Sequence, residues 1–94
     1  MIMKYSVKFS PKAEDGIKKF EKAGNKTALK KIDTLVNELY EHPRTGTGHP
    51  EQLKGYVEER WSRRIDKEHR LVYEIQEEVV LVLIVSVYGH YDDR

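Results

Sequence analysis

The stretch HRLVYEIQEEVVLVLIVSVY, residues 69–88, decides the fold. From Arg70 to Gln76 the apolar positions Leu71, Tyr73 and Ile75 alternate with Arg70, Val72 and Glu74, the period of a strand. Val79 to Tyr88 is a continuous run rich in β-branched residues, which reads as a more deeply buried strand. Gln76-Glu77-Glu78 leaves room only for a tight turn, so the two strands pair antiparallel. Leu71, Tyr73 and Ile75 then share the core-facing side. Upstream, Val57 to Ile65 gives another strand, joined to Arg70 by the polar turn Asp66-Lys67-Glu68-His69. The second half of the chain is thus a three-stranded antiparallel meander.

The first half supplies a strand and two helices. Met3, Tyr5, Val7 and Phe9 alternate with polar neighbours over Ile2 to Phe9, a half-buried strand. Ser10-Pro11 provides an N-cap and a proline at the first helical position. Ala13, Ile17 and Phe20 follow at helical spacing, and Ala23-Gly24-Asn25 closes that helix. Lys26 to His42 reads as a second helix with Ala28, Ile32, Leu35, Val36 and Leu39 on one stripe, ended by Pro43. The short connection makes the helices antiparallel neighbours. The order β-α-α-β-β-β predicts one α+β domain over residues 1–94, two helices on one face of a four-stranded, mainly antiparallel sheet.

Composition bounds the function. The chain has 94 residues, 35% charged and 38% hydrophobic, with no cysteine, so it has neither disulfides nor a cysteine metal site. No signal-peptide-like run opens it, and Val79 to Tyr88 is too short to span a bilayer; a cytoplasmic protein with no membrane partner is expected. The net charge of +1 is low for a protein that coats duplex DNA. Five Lys/Arg nevertheless cluster between Arg60 and Arg70, against Asp66 and Glu68. That suits a few phosphate contacts, or simply a solvated strand edge. No helix reads as a basic recognition helix, and the four histidines lack metal-ligand spacing.

The Gly- and Pro-rich loop PRTGTGHPEQLKGY, residues 43–56, is long and polar for so small a protein, a common property of functional loops. It lacks the Gly-Lys-Ser/Thr ending of a phosphate-cradling loop. In the meander, Arg70 starts the middle strand, Arg63 and Arg64 end the preceding one, and His90 and Tyr91 end the last. The topology gathers them at one edge of the sheet, and the loop bearing Glu51 can fold over it. A carboxylate, guanidinium groups, an imidazole and a phenol form the set that cleavage of RNA through its 2′-OH requires: a base, a cation for the phosphorane, an acid and an aromatic platform. Taken singly, Glu51 reads as a solvated loop acid, the usual case for a Glu after Pro, Arg70 as a surface ion pair, and Tyr91 as a ring capping the core. Trp61 is assigned to a packing face, and His69 to a turn or hydrogen-bonding role.

GTGHPEQLKG, WSRRIDKEHRLVYEI and SVYGHY, in that order, resemble the YoeB/Txe toxins of bacterial type II toxin–antitoxin modules, within the RelE-like superfamily. The resemblance covers nearly the whole chain. It implies the RelE-like microbial RNase fold and a ribosome-dependent mRNA endoribonuclease that cuts A-site codons without a cofactor or metal. By motif matching it implies Glu51 as general base, Arg70 as phosphate-stabilising cation, His90 as general acid and Tyr91 as the adjoining tyrosine. Lys54, Arg63 and Arg64 fall at positions expected to hold RNA. The implied partners are a YefM/Phd-type antitoxin, the 70S ribosome with its mRNA, and operator DNA only through the antitoxin; a monomer or a homodimer is left open. The rival is a catalytically inactive RelE-like module that binds an antitoxin or the ribosome.

Overall fold

The computed structural model describes residues 4–89. The order is β1 (Ser6–Phe9), α1 (Pro11–Lys22), α2 (Lys26–Leu39), β2 (Glu51–Leu53), β3 (Glu59–Arg64), β4 (Arg70–Gln76), a 3-10 turn (Glu77–Val79) and β5 (Leu81–Ser86). The sheet has five strands, in the order β1-β5-β4-β3-β2, where four were expected. The extra one, β2, is three residues long, too short to show alternation in sequence; its pairing with β3 defines it, Glu51 opposite Ser62 and Leu53 opposite Arg60. β1 runs parallel to β5, and every other pair is antiparallel.

Local chemistry sets the helix ends. Ser10 Oγ accepts from the Ala13 amide at 3.0 Å and donates to the Val85 carbonyl at 2.7 Å, fixing the start of α1 to β5. Gly24 takes the left-handed conformation, φ 65°, and Asn25 then caps α2 by accepting from the Ala28 amide at 3.1 Å. α2 stops at Leu39 rather than His42. The His42 carbonyl is captured by the Arg63 guanidinium instead, at 2.7 Å, which pulls the chain away from the helix axis.

Both helices cover one face of the sheet. Phe20, Ile32, Leu35 and Leu39 pack against Leu71, Tyr73, Ile75, Val82 and Ile84. Each such side chain contributes about 1.5–3 kcal/mol on burial. Trp61 lies opposite Tyr73 on this face and packs against the core, its indole N–H donating to Glu59 at 2.8 Å. β4 is central, and its second face is also covered: Val72 and Glu74 are buried too. Glu74 takes Arg60 Nη2 at 2.9 Å and Gln76 Nε2 at 2.7 Å.

Three strands differ in their limits from the sequence reading, β3 running Glu59–Arg64 where Val57 to Ile65 was expected, with Val57 exposed. β1 begins at Ser6, with Tyr5 already buried, while Ile2 and Met3 fall outside the described residues. β5 begins at Leu81 because Val80 sits at φ 52°, a left-handed corner forced by the 3-10 turn before it. That corner is tied down. Arg44 donates to Glu59 at 2.8 and 2.9 Å and to Glu77 at 2.9 Å, and the Tyr5 hydroxyl donates to Glu77 at 2.8 Å.

Candidate active site

The sheet face turned away from the helices carries the candidate site. Side chains paired directly across strands share a face. Glu51 pairs with Ser62, Ser62 with Val72, and Val72 with Ser86, making one row across four strands. Arg64 opposite Arg70 forms the next row along β3 and β4. From strand spacing and rise, Glu51 and Arg70 lie roughly 12 Å apart between Cα atoms, within the combined reach of two long side chains.

Each member of the site is fixed by its backbone. Glu51 is exposed at the first position of β2. The loop leading to it is stapled to β3 where the Arg64 amide donates to the Gly48 carbonyl at 2.7 Å. Gly48 has φ 88°, and a Cβ there would stand 3.1 Å from the Arg64 carbonyl oxygen, so the close approach needs glycine. Arg70 opens β4, and its amide donates to the Gly89 carbonyl at 3.1 Å. The chain leading to His90 therefore leaves from beside Arg70. His90 and Tyr91 themselves lie outside the described residues. Lys54 is exposed in the turn after β2.

Arg63 does not belong to this surface. It was expected to hold RNA, but its side chain is fully buried on the helix side of β3, opposite Leu71. Alternation separates it from Arg64, whose neighbouring position faces outward. The guanidinium is spent on the protein itself: Glu38, Tyr73 and three loop carbonyls.

His69 holds the turn before Arg70. Its ring packs edge-on against Phe20 and beside Tyr88, with Nδ1 3.1 Å from Asp66. Burial raises the Asp66 carboxyl pKa, but hydrogen bonds from the Glu68 and His69 amides and from the His69 ring outweigh it and hold it below its ordinary value. Three residues on the outer face escaped the sequence reading. Arg60 stacks over Tyr56, 4.4 Å from the ring centroid, while pairing with Glu74. Ser62, between Glu51 and Val72, is fully buried, and its Oγ and Arg60 Nε have no hydrogen-bond partner among the described residues. The only sequence signal for these was the parity of β3, and it needed β2 to be interpreted.

Among the described residues no group of three or more His, Asp or Glu is placed to hold a metal ion. No helix there is long and apolar enough to cross a membrane.

The face thus brings Glu51, Arg64 and Arg70 together, with the chain leaving towards His90. Comparison with known proteins bears on the same segments. Toxin YoeB of Mycobacterium bovis is 42% identical over 78 residues, covering 83% of this chain and 91% of that protein. The solved YoeB-YefM complex of Staphylococcus aureus superposes with a TM-score of 0.76 at 36% identity, over 93% of this chain and 98% of that one. The fold extends to an archaeal RelE-RelB complex from Pyrococcus horikoshii, TM-score 0.74 at 16% identity, over 93% and 96% of the two chains. Residues 9–91 match the family described as YoeB-like toxin of bacterial type II toxin-antitoxin system. With 83 of its residues inside that match, the chain belongs to the YoeB-like toxins.

Proposed function

We propose that this toxin is a ribosome-dependent mRNA endoribonuclease working in the cytoplasm. The observation that carries the reading is the single sheet face on which Glu51 and Arg70 stand in adjacent rows, with Gly89 hydrogen-bonded to Arg70. Glu51 takes the proton from the 2′-OH, whose oxygen attacks the adjacent phosphorus. Arg70 stabilises the charge that builds on the phosphorane oxygens. The bond to the 5′-oxygen breaks, leaving a 2′,3′-cyclic phosphate, and His90 protonates the departing oxygen. Tyr91 holds the base beside the scissile bond, and Lys54 and Arg64 hold the RNA backbone. Against free RNA these groups would have to order a flexible strand themselves; a codon held in the ribosomal A site is already extended and unpaired.

The Staphylococcus relative is solved in complex with YefM. That supports a YefM-type antitoxin as partner of this chain, with operator DNA reached only through it.

The test is primer extension on an mRNA held in 70S ribosomes. Wild-type toxin is expected to cut within the A-site codon. Glu51→Ala, Arg70→Ala and His90→Ala are each expected to slow cutting by about 10²–10⁴-fold. Intact mRNA after incubation with folded wild-type protein would leave only the inactive binding module.

A further inference from the structure

We infer that Arg63 is the positioning residue for Glu51: it fixes the shape of the loop that presents the carboxylate, and the cost of losing it is passed to catalysis through Glu51 alone. The inference rests on the reading of Glu51 as the base.

Arg63 is the largest fully buried side chain among the described residues. A buried guanidinium is costly unless each of its five N–H groups finds an acceptor. Here each does. Nη2 donates to the carbonyls of His42 at 2.7 Å and Thr45 at 2.8 Å. Nη1 donates to Glu38 Oε1 at 2.7 Å and the Thr47 carbonyl at 3.3 Å. Nε donates to the Tyr73 hydroxyl at 3.0 Å, which in turn donates to the Pro43 carbonyl at 2.6 Å.

The distribution of these acceptors is informative. Every backbone carbonyl reached, directly or through Tyr73, belongs to residues 42–47, the irregular segment between α2 and β2. Glu38 closes the arrangement by accepting the Thr47 amide at 2.8 Å and the Thr47 hydroxyl at 2.6 Å. Gly46 has φ 128°, and a Cβ on it would collide with Glu38 Oε1, so the chain is drawn in until only glycine fits. One residue after Arg63, the Arg64 amide takes up Gly48, three positions before Glu51. The segment has no ladder of its own, and these bonds give it its shape. A hydrophobic side chain of equal volume would fill the same space but leave Glu38 and the carbonyls of His42, Thr45 and Thr47 without their donor. Only a forked donor matches the carbonyls of this turn. Arg63 and Arg64, adjacent in sequence, thus divide the work between the two faces, one shaping the loop from below and the other standing in the site above.

Two measurements on the full chain test this. In amide exchange of the free toxin, Arg63→Lys is expected to cost the Thr47 and Arg64 amides roughly tenfold or more in protection, with Tyr73 and Ile84 unchanged. An equal loss at Tyr73 and Ile84 would show that Arg63 supports the whole fold and not the loop. In ribosome-bound cleavage, Arg63→Lys is expected to lower kcat by about 10²-fold with KM within roughly threefold. Placed on Glu51→Ala, the same substitution is expected to cost less than about threefold further, since both act through one group. An undiminished cost in the Glu51→Ala background overturns the inference. If wild-type and Glu51→Ala cut equally well, the assignment of the base fails, and the exchange result alone decides what Arg63 does. Should Arg63→Lys not fold, Glu38→Gln, which weakens the same set of bonds from the half-exposed side, takes its place with the same expectations.

Discussion

Arg64 and Arg70 stand directly opposite one another across the β3–β4 pair, on the face away from the helices. Like charges so placed destabilise a sheet by a fraction of a kcal/mol, and the arrangement serves an anion better than it serves the fold. Arg64→Gln is therefore expected to raise the urea midpoint of the free protein slightly. Added inorganic phosphate should raise the Tm of the wild type more than that of the variant. A lower midpoint for Arg64→Gln would mean that the pair is not in conflict.

Arg70→Lys separates charge from geometry. The hydrogen bond from the Arg70 amide to the Gly89 carbonyl does not depend on the side chain, so Gly89 should keep its place beside β4. Lysine keeps the charge but loses the planar fork that meets two phosphate oxygens. Cleavage is expected to fall by about 10²–10³-fold, with the melting temperature held. Full activity in the lysine variant would show that a point charge suffices.

Tyr73→Phe removes one hydroxyl from the centre of the molecule. That hydroxyl accepts from Arg63 and donates to Pro43, so both partners are left buried and unmet. Destabilisation of about 1–3 kcal/mol is expected in equilibrium urea unfolding. Burial holds the phenol pKa above its ordinary value, so the hydroxyl stays protonated and able to donate throughout the neutral range. No change in the midpoint would mean that water replaces it.

Gly16→Ala looks favourable on helix propensity, by about 1 kcal/mol. It is expected to destabilise instead. Gly16 is buried in α1, and a Cβ there would stand 2.7 Å from Val87 Cγ2 and 3.1 Å from Tyr88 Cβ. Overpacking of this kind costs about 1–3 kcal/mol, more than the helix gains. A higher Tm for the alanine variant would show that β5 and the segment after it yield easily.

The acid limb of stability should run through Arg44. Its hydrogen bonds hold the carboxyls of Glu59 and Glu77 below their ordinary values. The folded protein then binds fewer protons than the unfolded chain, so this stabilisation is complete above the ordinary carboxylate pKa of about 4.3 and is lost as pH falls through the lowered folded values. Arg44→Met should flatten the dependence of the urea midpoint on pH below about 5, while above that it lowers the midpoint by a constant amount. Parallel curves for the two proteins would assign the acid limb elsewhere.

Most of the fold could be read from residues because its signals are local. Ser10-Pro11 and Asn25 cap helices in the structure as their chemistry dictates, and Arg70 to Gln76 is the strand that its alternation describes. β2 was not legible, since three residues carry no period and Glu51–Leu53 is a strand only because β3 lies beside it. Arg63 illustrates a signal present but unused. The short turn at Asp66–His69 sets Arg64 against Arg70, which by alternation sends Arg63 to the side of Leu71 and Tyr73. Grouping the two arginines by composition concealed that they point in opposite directions. Glu51 and Arg70 were brought to one face by topology alone, whereas the buried Ser62 between them depended on a register that sequence does not supply.

β5, the last-made of the five strands, lies between β1 and β4. During synthesis the first strand therefore waits, without a neighbour, for residues some 75 positions downstream, Ser6 for Leu81 and Phe9 for Ile84. Long sequence separation of this kind makes folding slow relative to a helical protein of equal length. It also means that a nascent chain has no finished sheet until β5 has emerged, and Arg70 no anchor until Gly89 has. The face that carries Glu51, Arg64 and Arg70 is by this topology among the last features of the molecule to be completed.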